Sequence, residues 1–232
     1  MLLLRESSAL SPDLELALSL ADDADAITLA RFRAHDLRVE TKPDLTPVSE
    51  ADRAVEAALR ARLARERPDD SVLGEEEGGD HTGGWILDPI DGTRNYTRGI
   101  PVWATLIAYA DRVAVISAPA LGRRWWAERG AGAFADGIRL AVSAVDRLEH
   151  STLLYALNRP PPARAYDAWH LRGFGDFWAH MLVAEGAAEL AVDAAGLKIW
   201  DWAPLKVIVE EAGGRYEDAV SWNGCLDVSE LR

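Results

Sequence analysis

The chain has one cysteine, Cys225, in 232 residues, so an internal disulfide and a cysteine-type zinc site are both excluded. It lacks any run of about 18 consecutive apolar residues, the length a membrane-spanning helix requires. The start, Met1-Leu2-Leu3-Leu4-Arg5-Glu6, meets charge after four residues, and the expectation is a cytoplasmic protein without a membrane partner. Basic residues are also scarce. Twenty-five Lys and Arg face 38 Asp and Glu, a formal charge of −13, with no basic stripe carrying interleaved aromatics, which argues against nucleic acid as a partner. An acidic protein can still hold a small phosphate if metal cations stand between its carboxylates and the ligand. Repeats and low-complexity tracts are absent too. What is present, 49% hydrophobic and 27% charged residues, is the composition of a globular protein with one large domain or two small ones sharing a core.

Ser11-Pro12-Asp13 reads as a helix start with proline at the first helical position, and Leu14, Leu18, Ala21, Ala24 and Ile27 recur at helical spacing to about Ala34. Ser49-Glu50-Ala51-Asp52 reads as a capping box opening a second helix that ends near Pro68. Short β-like runs follow at Ser71 to Leu73, Trp85 to Leu87, Val102 to Tyr109, Val113 to Ala118 and Arg124 to Ala127, which suggests a central sheet built from hairpins. Beyond about Ala144 the pattern becomes strand, helix, strand, helix: Thr152 to Ala156, Phe177 to Ala188, Leu190 to Asp193, and Trp202 to Ala212 closed by Gly213-Gly214. The reading is an N-terminal α+β half, residues 1–144, carrying a metal and phosphate site, and a C-terminal α/β half, residues 145–232, completing it. Asn158 to Arg172, with Pro160-Pro161-Pro162, reads as a loop between the halves and a candidate substrate-facing lid.

Trp85-Ile86-Leu87-Asp88-Pro89-Ile90-Asp91-Gly92-Thr93 places an apolar strand before two carboxylates, with proline and glycine turning the chain between and after them. Gly74-Glu75-Glu76-Glu77 ends another short strand in acid, and Trp200-Asp201 stands where a loop opens a helix. Hard oxygen ligands delivered from several strand ends suit Mg²⁺. Each piece alone has a plainer reading: a solvated turn, a surface acidic run, a helix N-cap.

Their order and spacing carry more than the pieces do. Trp85 to Thr93 resembles the first signature of the inositol monophosphatase superfamily, and Trp200-Asp201-Trp202-Ala203 with Glu210-Glu211-Ala212-Gly213-Gly214 resembles its second. Gly74-Glu75-Glu76 and Ser49-Glu50-Ala51-Asp52 match two further blocks, so the resemblance spans roughly residues 13 to 218. It implies the layered α-β-α-β-α sandwich of sugar phosphatases, usually dimeric, and a phosphomonoesterase using two to three Mg²⁺ ions. Glu75, Asp88 and the Ile90 carbonyl would hold one ion; Asp88, Asp91 and Asp201 a second; Glu75 would also touch a third, weaker one. Thr93, held by Asp52, would position and help deprotonate the attacking water, and Gly92-Thr93 would open a short helix whose free N–H groups receive the phosphate. Asp52 as a capping-box acid needs no such task, and Lys42, where the family has a lysine near the metals, reads equally as solvated.

Several blocks are similar to the actinobacterial type of histidinol-phosphatase within that superfamily: Lys42 to Asp52, Pro101 to Leu106, Ser117 to Leu121 with Arg123 to Trp126, and Gly175-Asp176-Phe177-Trp178 with Met181 to Gly186. Histidinol phosphate brings an ammonium and an imidazole, so Asp176 is the candidate ammonium partner, with an N-cap as its alternative role. Gly175, Arg172 and Asp193 complete the candidate substrate contacts. The chain departs from the family in a clipped connection at Ala110-Asp111-Arg112, a reduced 158–172 segment, an abbreviated tail after Asp218, and Asp193 to Lys198 where inositol monophosphatases place a substrate-contacting glutamate. Three readings stay open: a histidinol-phosphatase, an inositol or related sugar or amine monophosphatase, and a trimmed relative without activity.

Overall fold

The computed structural model describes residues 10–156, 160–194 and 196–231. Two helices come first, α1 (Pro12–Arg31) and α2 (Glu50–Glu66). Ser11 caps α1 through its Oγ on the Leu14 N–H. Ser49 caps α2 within a full capping box, Asp52 accepting from the Ser49 N–H at 2.9 Å. Between them Val39–Thr41 and Pro47–Ser49 form a two-stranded ribbon.

An eight-stranded sheet follows in the order Ile138–Arg139, Gly132–Ala135, Arg123–Glu128, Val113–Ala118, Ala104–Tyr109, Trp85–Asp91, Val72–Gly74, Gly78–Gly79. It is an antiparallel meander, as the hairpin reading expects, except that Val72–Gly74 runs parallel to Trp85–Asp91. Side-chain alternation sets its two faces. Trp85, Leu87, Ile107, Val113 and Val115 pack under α1 and α2. Leu106, Ala114, Ile116 and Trp125 point the other way, onto α4 (Asp176–Ala184) and α5 (Ile199–Glu211). α3 (Thr93–Thr97) is a single turn after the central strand.

The second sheet, of five strands, is ordered His170–Arg172, Thr152–Tyr155, Leu190–Val192, Val220–Trp222, Arg215–Glu217. Leu154 and Ala191 face Ala179 and Val183 of α4. Leu153, Tyr155, Leu190 and Val192 face outward and are covered by Ala165, Leu226, Val228 and Leu231. The layers therefore run helix pair, sheet, helix pair, sheet, and a cover made of the 3₁₀ turn Ala163–Asp167 and the end of the chain. This is the layered sandwich expected of the family, with its last layer thinned to one turn.

One reading of the sequence is corrected by the structure. The 158–172 segment is not simply a loop: Asn158 and Arg159 lie outside the described residues, but the rest carries that 3₁₀ turn and the edge strand His170–Arg172, hydrogen-bonded in parallel to Thr152–Tyr155. The abbreviated tail after Asp218 supplies strand Val220–Trp222 and three apolar side chains over the sheet.

Candidate active site

In a regular strand residues three apart point to opposite faces, so Asp88 and Asp91 would diverge. The pairing with Ala104–Tyr109 shows how they converge: Asp88 is opposite Leu106 and Asp91 opposite Ala104, three residues against two. That one-residue bulge returns both carboxylates to the same side, and Thr105 Oγ1 pins it by donating to the Pro89 carbonyl at 2.8 Å. Gly92 then adopts φ 81°, a left-handed turn that a side chain resists, and α3 begins at Thr93. Asp201 arrives from the first turn of α5, where its Oδ2 accepts from the Lys198 N–H at 2.6 Å. One carboxylate oxygen from each of Asp88, Asp91 and Asp201 lies within 4.8 Å of the others.

Glu75 follows Gly74, which is paired with Leu87, so the parallel register delivers it beside Asp88. Its carboxylate is bound by Lys42 Nζ at 2.7 Å, and Lys42 also reaches Glu76 at 2.6 Å. The lysine is thus engaged rather than solvated, and these two carboxylates hold its acidity well below normal against the opposing effect of burial. Buried Glu56 braces the turn by accepting the Glu76 and Glu77 N–H groups at 2.7 and 2.9 Å. A Cβ on Gly74 would stand 2.1 Å from Glu56 Oε1, so any side chain there must push the Glu56 carboxylate aside.

The electrostatics describe a site short of positive charge. Burial, then the charge of Glu75, pushes Asp88 well above the usual carboxylate range. Burial, then Asp176 and Asp201, does the same to Asp91. Asp201 is pushed up to about 7 by burial, with Glu75, Asp193 and Asp176 adding to it and the Lys198 N–H opposing. Asp88 Oδ1 is buried with no hydrogen-bond partner. A cluster of carboxylates carrying an orphan buried oxygen fits a hard divalent cation, which would satisfy that oxygen and restore the ionised forms.

Asp52 is buried, and that burial pushes its carboxyl above the usual carboxylate range despite hydrogen bonds from Ser49. Its Oδ1 lies 3.2 Å from Thr93 Oγ1, which also lies 2.9 Å from the Ile90 carbonyl. The pairing of Thr93 with Asp52 is therefore present, and the Ile90 carbonyl keeps its second lone pair. A cavity of about 200 Å³ opens over these groups, lined also by Thr46, Gly92, Arg94 and Asp176. A recess of about 170 Å³ adjoins it through Asp91, Asp176 and Asp201 and ends at Asp193, Leu197 and Leu205.

Asp176 does not cap α4. The helix N-cap is Gly175, without a side-chain cap, and the exposed donor of Phe177 is taken at 2.7 Å by Asp91 Oδ2 from the first sheet. Asp176, at φ 56°, is left facing the cavity, where desolvation and the Asp193 carboxylate push it up to about 6. Its Oδ2 is 3.6 Å from where a Gly92 Cβ would stand, and Asp193 Oδ1 is 3.5 Å from the corresponding point on Gly175. Arg172 stands apart: it is exposed at the end of its edge strand and its guanidinium donates to the Leu171 carbonyl. Arg94 was not singled out in the sequence, though its place directly after Thr93 puts it on the first turn of α3 and so at the cavity. Among the described residues no helix is long and apolar enough to cross a membrane.

Residues 9–228 match the model of the inositol monophosphatase family. Histidinol-phosphatases of Mycobacterium tuberculosis and Streptomyces coelicolor are 51% and 49% identical to the chain, over 88% of it in each case and 86% and 85% of their own length. An inositol monophosphatase from Zymomonas mobilis superposes with a TM-score of 0.78 at 31% identity, covering 93% of this chain and 94% of that one. The chain belongs to the inositol monophosphatase family and is a phosphoric monoester hydrolase.

Proposed function

We propose that the protein hydrolyses L-histidinol phosphate to L-histidinol and phosphate, with Mg²⁺, as a step of histidine biosynthesis. The observation that carries this reading is the pair of acids, Asp176 and Asp193, lining the recess beyond the metal carboxylates. Neither belongs to the three-carboxylate cluster, and Asp193, held in place by the Ala194 N–H, lines the recess with Asp176 where an ammonium group on the leaving alcohol would meet both. A neutral polyol has no charge to offer them. The identity to two histidinol-phosphatases supports the same choice.

Asp88, Asp91 and Asp201 would hold Mg²⁺ together with Glu75 and the Ile90 carbonyl, and the ions when bound would supply charge neutralisation at the phosphate and acidify water. The residues of the chain do the rest. Gly92 and Thr93 present the first N–H groups of α3 to the phosphate. Thr93 Oγ1, 2.9 Å from the Ile90 carbonyl and 3.2 Å from Asp52, orients the attacking water and passes its proton to Asp52 Oδ1. Burial favours the protonated form of Asp52, which suits it to receive that proton. Asp176 and Asp193 orient the leaving alcohol by its ammonium, so that the ester oxygen lies in line with attack.

The test is phosphate release with Mg²⁺ from histidinol phosphate, inositol 1-phosphate, fructose 1,6-bisphosphate and adenosine 3′,5′-bisphosphate. Histidinol phosphate should lead in kcat/KM by at least about tenfold. A lead for inositol 1-phosphate would replace this reading with the polyol one.

A further inference from the structure

His180 is a titratable side chain that the hydrolysis does not use, sealed within α4 at 0% exposure. Its Nδ1 lies 2.8 Å from Ser221 Oγ and its Nε2 3.5 Å from Asp193 Oδ2. The ring of Tyr216 packs against it at 5.4 Å. A serine, a histidine and an aspartate in contact suggest a nucleophilic triad, but Ser221 is itself 0% exposed. No ester can reach its hydroxyl, so the three groups serve another purpose.

Their direction shows which. Nε2 makes no hydrogen bond, and with a proton there the ring meets the Asp193 carboxylate as an electrostatic contact at 3.5 Å. Nδ1 of the neutral ring then accepts from the Ser221 hydroxyl, and a charged ring would donate to the same oxygen. The string Ser221, His180, Asp193 therefore ends on one carboxylate in either charge state. Asp193 Oδ1 is held from the chain side by the Ala194 N–H at 2.6 Å, and the Asp176 N–H also points to this carboxylate. Burial would favour a protonated Asp193, yet His180 and these two N–H groups hold it below the usual carboxylate range. The carboxylate so fixed is the one that closes the recess beyond Asp91, Asp176 and Asp201.

We propose that His180 is a positioning residue that fixes the Asp193 carboxylate as the partner of the substrate's ammonium, and so sets the preference for amine-bearing esters. The inference rests on the histidinol phosphate reading above. It places a specificity determinant on the buried side of α4, behind the site.

Two esters separate the two claims: histidinol phosphate, and the same molecule without its amine, 3-(imidazol-4-yl)propyl phosphate. Their kcat/KM ratio in the unaltered enzyme should exceed about tenfold; a ratio near one overturns the substrate reading and this proposal with it. Given a high ratio, His180→Leu should lower it by about fivefold to tenfold, mainly by raising KM for histidinol phosphate. His180→Gln, which can return a donor towards Asp193, should recover most of the preference. In an Asp193→Asn background His180→Leu should change the ratio no further, the signature of two groups acting as one. Ser221→Ala keeps the ring packed and removes only its outer partner, so it gives a smaller shift in the same direction and decides the matter should His180→Leu fail to fold. A ratio unchanged in His180→Leu and Ser221→Ala, an equal loss on both esters, or additivity with Asp193→Asn would overturn the proposal.

Discussion

Asp176→Asn probes the substrate reading at the residue that faces the cavity. The substitution is close to isosteric, and it keeps a side chain that tolerates the left-handed conformation this position requires, φ 56°. Because Phe177 N–H is capped by Asp91 and not by Asp176, helix α4 loses no hydrogen bond. The effect is then confined to charge. A hydrogen bond to a charged group contributes about 1.5 to 3 kcal/mol, or roughly tenfold to a hundredfold in rate. Asp193 remains as a second acid in the recess, so the lower end applies. We expect about a tenfold fall in kcat/KM for histidinol phosphate, about 1.4 kcal/mol, and less than about twofold for the amine-free imidazole ester. The assay is phosphate release at about pH 8, two units above the value of about 6 to which Asp176 is raised, where it is ionised. Equal losses on both esters would refute the reasoning and reduce Asp176 to a support of the metal carboxylates.

Asp91→Asn should lower turnover by orders of magnitude on every ester while the fold survives, because asparagine Oδ1 can still accept from Phe177 N–H; near-normal activity at saturating Mg²⁺ would reject Asp91 as a ligand. Chelation should abolish phosphate release and Mg²⁺ restore it, with Ca²⁺, larger and less demanding of octahedral geometry, supporting little; full activity in Ca²⁺ would contradict the mechanism. Stability should also report the ions. The folded values of Asp176 and Asp201 are raised to about 6 and about 7, so the folded state binds the extra protons and loses stability as pH rises through those values. Chelated protein should melt lower at about pH 8 than at about pH 5, and Mg²⁺ should raise Tm more at the higher pH, as thermal scans would show; a pH-independent Mg²⁺ effect would argue against carboxylate ligation. Gly74→Ala should cost about 1 to 3 kcal/mol and weaken Mg²⁺ binding, since its Cβ would collide with Glu56 at 2.1 Å and displace Glu75; unchanged Tm and Mg²⁺ affinity would show that the turn yields freely.

Much of this was legible because it is local. Ser11 and Ser49 cap helices with groups two or three residues away, and the strands Trp85–Asp91, Ala104–Tyr109 and Val113–Ala118 are short, largely apolar runs buried on both faces. The metal carboxylates were marked by motif, although only the bulge explains how Asp88 and Asp91 come to share a face. What stayed hidden depends on distant partners. The acid that caps α4 lies 86 positions earlier, His180 meets Ser221 across 41 residues, and neither pairing leaves a local pattern. Strands His170–Arg172 and Arg215–Glu217 are three residues long, lie at the sheet edges and carry exposed side chains, so hydrophobic alternation could not mark them.

The bond from Phe177 N–H to Asp91 has a consequence for molecular length. It ties the strand that carries Asp91 directly to the start of the helix that carries Asp176. On the histidinol phosphate reading, the span from phosphorus to amine would be gauged between two elements that cannot slide past each other without breaking this part-buried hydrogen bond. On that reading a homologous ester with one more methylene between its phosphate and its amine should be the poorer substrate, through its length rather than its charge.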